Sequence, residues 1–274
     1  MTRTWFAADL ETVATWWRVL RRDGVTLGLT SHDRDIWLDG VLHAASPGMV
    51  PSAIRKSADF EPDSAEVEGA LTHEAISGAD LAAGRFDGAQ VRIGIADWET
   101  GESTLLYAGT IGPVAEEDGR FSAGLVSRKA ELQRDPTPRT SPTCRAAFCG
   151  PGCCLSAIAY THEARVAAID LAANSLTLDR PLAIEPFVGG LLRWIDGPLA
   201  GMTAPIMAED GAGGLVLALP MDAATSAGCA VSLREGCDHT LGTCSSRFAN
   251  AVNFQGEPFL PGNDLLTRYP SPPQ

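Results

Sequence analysis

The sequence predicts a mainly β protein, with a β-rich N-terminal domain followed by a small β-barrel or sandwich. Three observations predict this fold class. Gly (28) and Pro (18) are frequent among the 274 residues, which indicates many turns. Asp-Gly pairs, which suit tight hairpin turns, repeatedly separate apolar runs. In the second half, short apolar stretches follow one another about ten residues apart, as the strands of a barrel or sandwich do.

Two hairpins open the chain. The stretch "TWWRVLRRDGVTLGLTSHD" has apolar runs on both sides of the Asp-Gly pair at 23–24, and a second Asp-Gly pair at 39–40 divides the next two runs. Successive hairpins predict a meander. Alternation along the first strand places Trp16 and Trp17 on opposite faces, so we expect one in the core and the other at an interface.

The first half continues in strands. "FEPDSAEVEGALTHEAI" predicts a strand and then a short helix over 79–83, and "AQVRIGIADWE" alternates as a strand does. Two further strands meet at 117–119, and "SRKAELQRD" predicts a helical turn. The three prolines of "PTPRTSPT" mark a boundary, so we expect the first domain to cover residues 1–140.

Two kinds of segment follow this boundary. Strand-like runs from "EARVAAID" to "CAVSLREG" predict an inserted small β-domain over residues 155–236. The flanking segments, 141–154 and 237–274, have little regular pattern but contain most of the cysteines. We expect these two segments to form one cysteine-ligated metal-binding module.

The acidic composition limits the classes of function. The net charge is −13, from 21 basic and 34 acidic residues, and no run of Lys or Arg supplies the basic face that DNA binding needs. An acidic surface suits a soluble protein, or the wall of a channel through which DNA slides. No stretch reaches the roughly 18 apolar residues of a membrane span, and the start lacks a signal peptide's apolar centre. We therefore expect reducing cytoplasm, where cysteines indicate metal before disulfides.

The cysteines lie in two groups. "CRAAFCGPGCC" holds four of the seven, at 144, 149, 153 and 154, and Cys237 and Cys244 follow near the C-terminus. Two from each group supply four thiolates, enough for Zn²⁺ or a four-iron cluster. Pairing Cys144 with Cys153 and Cys237 with Cys244 gives wider spacings than the about two to four residues between zinc-knuckle ligands, which favours iron–sulfur. Zinc, disulfides and free thiols stay open from spacing alone.

Five stretches resemble a known family. They are "RRDGVTLGLTSHDRDIWLDGVLHAA", "AEVEGAL", "AGRFDGAQVRI", "LLYAGTIGPV" and "GCDHTLGTCSSRFANAVNFQGEPFLPGND", and the resemblance runs from near Trp17 to Tyr269. They are similar to the baseplate hub proteins of siphophage-like tails and gene transfer agents. The last stretch also resembles the C-terminal Cys motif of the iron–sulfur tail-tip proteins of lambda-like phages. The resemblance implies an N-terminal tail-hub domain and a [4Fe-4S] cluster, with Zn as the alternative.

The resemblance implies the cluster ligands residue by residue. They form two pairs, Cys144 with Cys153 upstream and Cys237 with Cys244 downstream. The chain departs from the family at Cys149 and Cys154, where relatives commonly have Gly or another small residue. Because Cys153 and Cys154 are adjacent, we expect only one of them to point inward, and both Cys154 and Cys149 stay open as substitutes for Cys153.

Several other polar residues have plainer structural explanations. Cys229 begins a predicted strand, and we expect it to be a small buried hydrophobe. His239 stands where relatives often have Lys, so we expect a solvated side chain rather than a ligand. In "SHDRD", His32 and two Asp residues are a combination used in acid–base catalysis, but at the end of a hairpin strand we expect them to bond turn backbone.

The resemblance also implies partners and a location. Such hubs form a homotrimer around the tail axis, beneath a distal tail protein, and bind a central tail fibre or receptor-binding protein. DNA passes through the channel without specific binding. We therefore expect a virion structural protein at the tail tip (baseplate), assembled in the bacterial cytoplasm, and not an enzyme. The alternative is an iron–sulfur or zinc-binding protein outside a tail, including an electron-transfer enzyme.

Overall fold

The computed structural model describes residues 11–46, 50–51, 64–70, 78–117, 120–133, 135, 137–221 and 225–260. The chain divides into two compact units, Met1–Pro136 and Thr137–Gln274. Within the described residues, strands dominate and the α-helices are two short segments, which confirms the prediction of a mainly β protein. No helix in this described part is long and apolar enough to cross a membrane.

The first unit is built on one nine-stranded sheet. Its strands are β1 (Val13–Leu20), β2 (Thr26–Thr30), β3 (Ile36–Leu38), β4 (Val41–Ala45), β5 (Val50–Pro51), β6 (Ser64–Ala70), β7 (Gln90–Asp97), β8 (Ser103–Glu117) and β9 (Arg120–Ser127). They lie in the order β3-β4-β2-β1-β7-β8-β9-β6-β5. The predicted helix and helical turn are also found, as α1 (Gly78–Ala82) and a 3-10 turn at Arg128–Gln133.

Both opening hairpins turn at their Asp-Gly pairs, where Gly24 and Gly40 have φ of 92° and 75°. The predicted meander is wrong, because β4 lies between β3 and β2 and pairs with β2 in parallel. The chain leaves β2 through the loop at 31–35 and forms β3 at the outer side of the sheet. In this loop Asp35 accepts a hydrogen bond from the backbone of Ala45 at 2.8 Å. His32 bonds turn backbone as expected, since its Nδ1 accepts from the Arg34 N–H at 3.0 Å, whereas Asp35 bonds the neighbouring strand β4.

Both tryptophans of β1 are buried, so the expectation of one interface tryptophan is wrong. Trp17 is fully buried in the main core cluster of the unit, between Leu29 and Ile93. Trp16 faces the other side, where Leu38 on β3 packs against it. The sheet therefore buries apolar surface on both faces of β1, and alternation alone could not reveal the second layer.

The second unit contains a closed barrel, which is one of the two predicted alternatives. Its six strands are β10 (Thr161–Asp170), β11 (Ser175–Leu178), β12 (Leu191–Trp194), β13 (Thr203–Glu209), β14 (Leu215–Leu217) and β15 (Ala230–Arg234). They close in the order β10-β11-β14-β13-β12-β15, so β10 and β15 are neighbours and Thr161 pairs with Arg234. The barrel is filled by its inward side chains, among them Trp194 and, as expected, Cys229.

Candidate metal centre

Three segments of the second unit converge on one pocket. They are the loop 144–154, the chain that follows β15, and the helix α2 (Leu241–Ser246) with the 3-10 turn Ala251–Asn253. The pocket holds about 320 Å³ of space, part of it open to solvent, and its lining includes all four predicted ligands, Cys144, Cys153, Cys237 and Cys244. The chain thus brings together four thiols from residues a hundred positions apart.

The upstream loop separates Cys153 from its two neighbouring cysteines. A turn closed by the backbone N–H of Gly150 on the carbonyl of Ala147, at 2.8 Å, precedes it. Cys153 is 9% exposed and lines the pocket. Cys154 is exposed, and its Sγ donates to the carbonyl of Pro151 at 3.1 Å. Cys149 is half-buried and is not part of the pocket lining.

Cys244, the second downstream cysteine, is placed by a helix that the sequence did not predict. Thr240 caps α2, since its side chain accepts a hydrogen bond from the backbone N–H of Thr243 at 3.2 Å. Asp238 supports this turn by accepting from the Thr240 backbone N–H at 2.9 Å and from Thr243 Oγ1 at 2.7 Å. These bonds hold the pKa of Asp238 below its usual value. They fix the start of α2, which carries Cys244 into the pocket.

Main-chain bonds join the upstream and downstream segments directly. The Cys144 backbone N–H donates to the carbonyl of His239 at 2.8 Å, and that of Arg145 donates to the carbonyl of Gln255 at 2.9 Å. The Arg145 side chain also forms an ion pair with Glu257 at 2.7 Å. The two segments therefore form one structure through protein contacts, and the pocket lies within it.

Aromatic packing covers one side of the pocket. The ring of Phe248 lies 4.9 Å from that of Phe148 and 5.3 Å from that of Tyr160, measured between centroids. Phe148 and Phe248 both line the pocket, and Phe248 is buried. Arg247 stacks over Phe248 and pairs with Glu235 just beyond β15. These contacts place aromatic surface on one side of the pocket and attach it to the end of the barrel.

Three N–H groups point at three of the four pocket sulfurs. Two are main-chain groups: His239 N lies 3.4 Å from Cys237 Sγ, and Gln255 N lies 3.3 Å from Cys144 Sγ. The third is a side-chain amide, since Asn250 Nδ2 lies 3.7 Å from Cys153 Sγ. An N–H donor favours the charged form of a sulfur, because it stabilises the thiolate more than the thiol. Such donors are the usual surroundings of metal-bound cysteine sulfur.

Without a cation, the thiolate form is disfavoured at Cys237 and Cys244. Burial raises the pKa of the Cys244 thiol, and the nearby Cys144, Cys237 and Cys153 raise it further. Burial likewise raises the pKa of Cys237; the backbone N–H of His239 opposes this, and the charges of Asp238 and of two other cysteines add to it. A bound metal would supply the positive charge that stabilises the thiolate forms of these two cysteines.

Four thiolates are a donor set that either a zinc ion or a four-iron cluster can use. Zn–S bonds of about 2.3 Å in a tetrahedron bring sulfurs to about 3.8 Å from one another. Among the described residues, no group of three or more His, Cys, Asp or Glu side chains is gathered closely enough to hold one metal ion. A four-iron cluster takes one cysteine at each iron, so its sulfurs lie farther apart.

Sequence reasoning missed the polar residues around the sulfurs. Asn250 and Gln255 lie inside the stretch that resembles the family, but nothing in their spacing shows which of them faces a cysteine. His239 was expected to be solvated, yet it is half-buried, lines the pocket and has φ of 59°. Its contribution is the backbone N–H on Cys237, which no side-chain pattern can predict.

Comparisons with known proteins agree with this architecture. Residues 2–156 match the family model described as "Baseplate hub protein, N-terminal attachment domain", and residues 185–264 match "Phage conserved hypothetical protein BR0599". Among solved structures, a chain of the virion of a native gene transfer agent particle is 31% identical. The match has a TM-score of 0.83 and covers 98% of this chain and 95% of that chain. No curated protein matches.

Fold and matches together define a structural, non-enzymatic protein of a phage-like tail. The chain belongs to the baseplate hub family. The predictions of a hub protein related to gene transfer agents, and of a place in the virion tail, are confirmed. The alternative of an electron-transfer enzyme outside a tail is thereby set aside.

Proposed function

We propose that this hub protein links a distal tail protein to a central tail fibre or receptor-binding protein, as a homotrimer around the DNA channel. The attachment-domain model matches residues 2–156, so we assign the contact with the tail ring to the first unit and the outward contact to the barrel. The net charge of −13 suits a channel wall along which DNA passes without specific binding. Native mass spectrometry tests the oligomer, and a monomer at particle-like concentration would contradict the trimer.

We further propose that Cys144, Cys153, Cys237 and Cys244 hold a [4Fe-4S] cluster. The observation that carries this proposal is the single pocket lined by all four thiols, with N–H donors at three of the sulfurs. Ligation supplies folding free energy, because the unfolded chain has no preformed site. The cluster would close a loop of about eighty residues, and long loops are where such a link removes the most chain entropy.

The test is metal analysis of anaerobically purified protein. We expect about four iron and four acid-labile sulfide per chain, and absorption near the violet end of the visible spectrum. Changing any of the four ligands to Ser should abolish both, since an incomplete set of thiolates does not retain the cluster. Cys154→Ser is the matched control, because this exposed neighbour of Cys153 lies outside the pocket lining.

The outcomes separate the parts of the proposal. About one zinc per chain would contradict the proposal of a cluster and would still support a metal that links the two segments. Absence of both metals from protected protein would overturn the metal proposal, while the assignment to the hub family, which rests on other observations, would stand. If Cys154→Ser lost iron and Cys153→Ser retained it, the ligand would be Cys154 and not Cys153.

A further inference from the structure

One buried side chain connects the two cysteine segments through Cys153. Asn250 is 6% exposed, and its Nδ2 donates to the carbonyl oxygen of Cys153 at 2.7 Å. The same nitrogen lies 3.7 Å from Cys153 Sγ. Because a carbonyl oxygen only accepts hydrogen bonds, the amide atom that faces it has to be the nitrogen. The N–H group near the sulfur therefore follows from the chemistry of the contact.

The other end of the same amide is also held. Asn253 Nδ2 donates to Asn250 Oδ1 at 2.7 Å, and the Asn250 backbone N–H donates to the carbonyl of Cys244 at 2.9 Å. Asn250 thus contacts one cysteine from each segment, Cys153 with its side chain and Cys244 with its main chain. A buried amide with both ends bonded is confined to one orientation.

We propose that Asn250 is a positioning residue of the metal site, which fixes Cys153 rather than the adjacent Cys154 as ligand and tunes the bound cluster through its N–H···S contact. The inference rests on the proposed metal site. Hydrogen bonds to cluster sulfurs stabilise the more negative, reduced state and so raise the reduction potential. Hydrogen-bond partners of metal ligands also strengthen metal binding: removing one typically weakens the metal affinity about 10–100-fold.

The test compares Asn250→Asp with Gln255→Ala in the anaerobically purified full chain. Asp keeps the size of Asn but cannot donate, and it adds negative charge beside the sulfur. Gln255 is a matched control, because its Nε2 makes a similar link between the segments, to the carbonyl of Gly152 at 3.2 Å, and not to a sulfur. Its backbone N–H on Cys144 is unchanged by the substitution.

The two variants should differ in the reduction potential and in the rate of metal release, which a purely structural role of Asn250 would leave unchanged. We expect Asn250→Asp to lower the equilibrium constant for cluster reduction about tenfold, which is about 59 mV for one electron. It should also release metal to a chelator roughly tenfold faster. Gln255→Ala should lose stability and leave both properties as in the unchanged protein.

A second variant covers the case in which Asn250→Asp does not fold. Asn253→Ala removes only the bond to Asn250 Oδ1, and should shift the potential in the same direction by less. If the Asn250 and Asn253 variants had the same reduction potential and metal-release rate as Gln255→Ala, the inference about Asn250 would be overturned and the proposal of a metal site would stand. Absence of metal from the unchanged protein would overturn both. Zinc in place of iron would overturn only the proposal of a cluster. The role of Asn250 would then be decided by whether Asn250→Asp releases zinc faster than Gln255→Ala does.

Discussion

At the scale of single residues, backbone strain is concentrated around the cysteines. Among the described residues, six other than Gly have positive φ, and four of these lie in the cysteine segments: Cys149, Cys154, His239 and Ala249. The other two, Asp39 and Asn174, are residue types that tolerate this region. For a side chain with a Cβ the left-handed conformation costs about 1–2 kcal/mol, so the surrounding contacts have to impose it.

Two of the strained residues are the cysteines outside the pocket lining, Cys149 and Cys154. Cys149 and Cys154 have φ of 57° and 60°, where Gly is unstrained. We predict that Cys149→Gly and Cys154→Gly each retain the metal and raise the free energy of unfolding by roughly 0.5–1 kcal/mol, because relief of strain exceeds the entropy cost of Gly. Chemical denaturation together with metal analysis measures both effects.

Ala147 provides the control for these two substitutions. It lies in the same loop, is exposed, and is not among the residues with positive φ. Ala147→Gly should therefore lower stability by roughly 0.5–1 kcal/mol. Equal effects of Gly at all three positions would contradict the explanation by strain, and metal loss in Cys154→Gly would identify this thiol as a ligand.

At the scale of elements, β12 shows which face of the barrel carries its stability. Leu191 is 42% exposed, while Leu192 is fully buried opposite Leu233 of β15. We predict that Leu192→Ala lowers the free energy of unfolding by about 2–5 kcal/mol, since it leaves a cavity in a closed core. Leu191→Ala, the neighbour on the same strand, should cost less than about 1 kcal/mol. Similar losses at the two positions in denaturant titrations would contradict an inward-facing Leu192.

The elements that sequence reasoning found are those with local signals. Asp-Gly turns and alternating apolar residues placed the hairpins, and regular spacing placed the barrel strands. The parallel pairing of β4 with β2 has no local signal, because it depends on residues that tertiary structure brings together. The helix α2 has six residues, too few to show a hydrophobic period, and its local sign is the cap at Thr240. The cysteines of the pocket were found because Cys is rare and chemically specific. Asn250 was not, because only its three-dimensional neighbours distinguish it.

At the scale of the whole molecule, each unit has a hydrophobic core of its own. The core around Trp17 belongs to the first unit, and the core around Trp194 fills the barrel of the second. We predict that removing the metal with a chelator under reducing conditions lowers protection of the segments 141–154 and 237–257 from hydrogen exchange. Strands β1, β7 and β8 should keep their protection, because no candidate ligand belongs to their unit.

Cys144→Ser and Leu192→Ala serve as comparisons for that experiment. The first should reproduce the pattern of the metal-free protein without any chelator. The second should lower protection in the barrel strands and leave those of the first unit unchanged. Loss of protection throughout the first unit on metal removal would contradict independent cores.

The bonds between the segments on either side of the barrel have a mechanical consequence. A pull on the two ends of this chain would reach residue 141 from one side and residue 257 from the other. The backbone N–H of Glu257 donates to the carbonyl of Ser141 at 2.7 Å, and the Arg145 side chain pairs with Glu257. Tension therefore crosses from one segment to the other through these short links. The barrel strands, which occupy residues 161–234 between the two linked segments, stay outside the line of force.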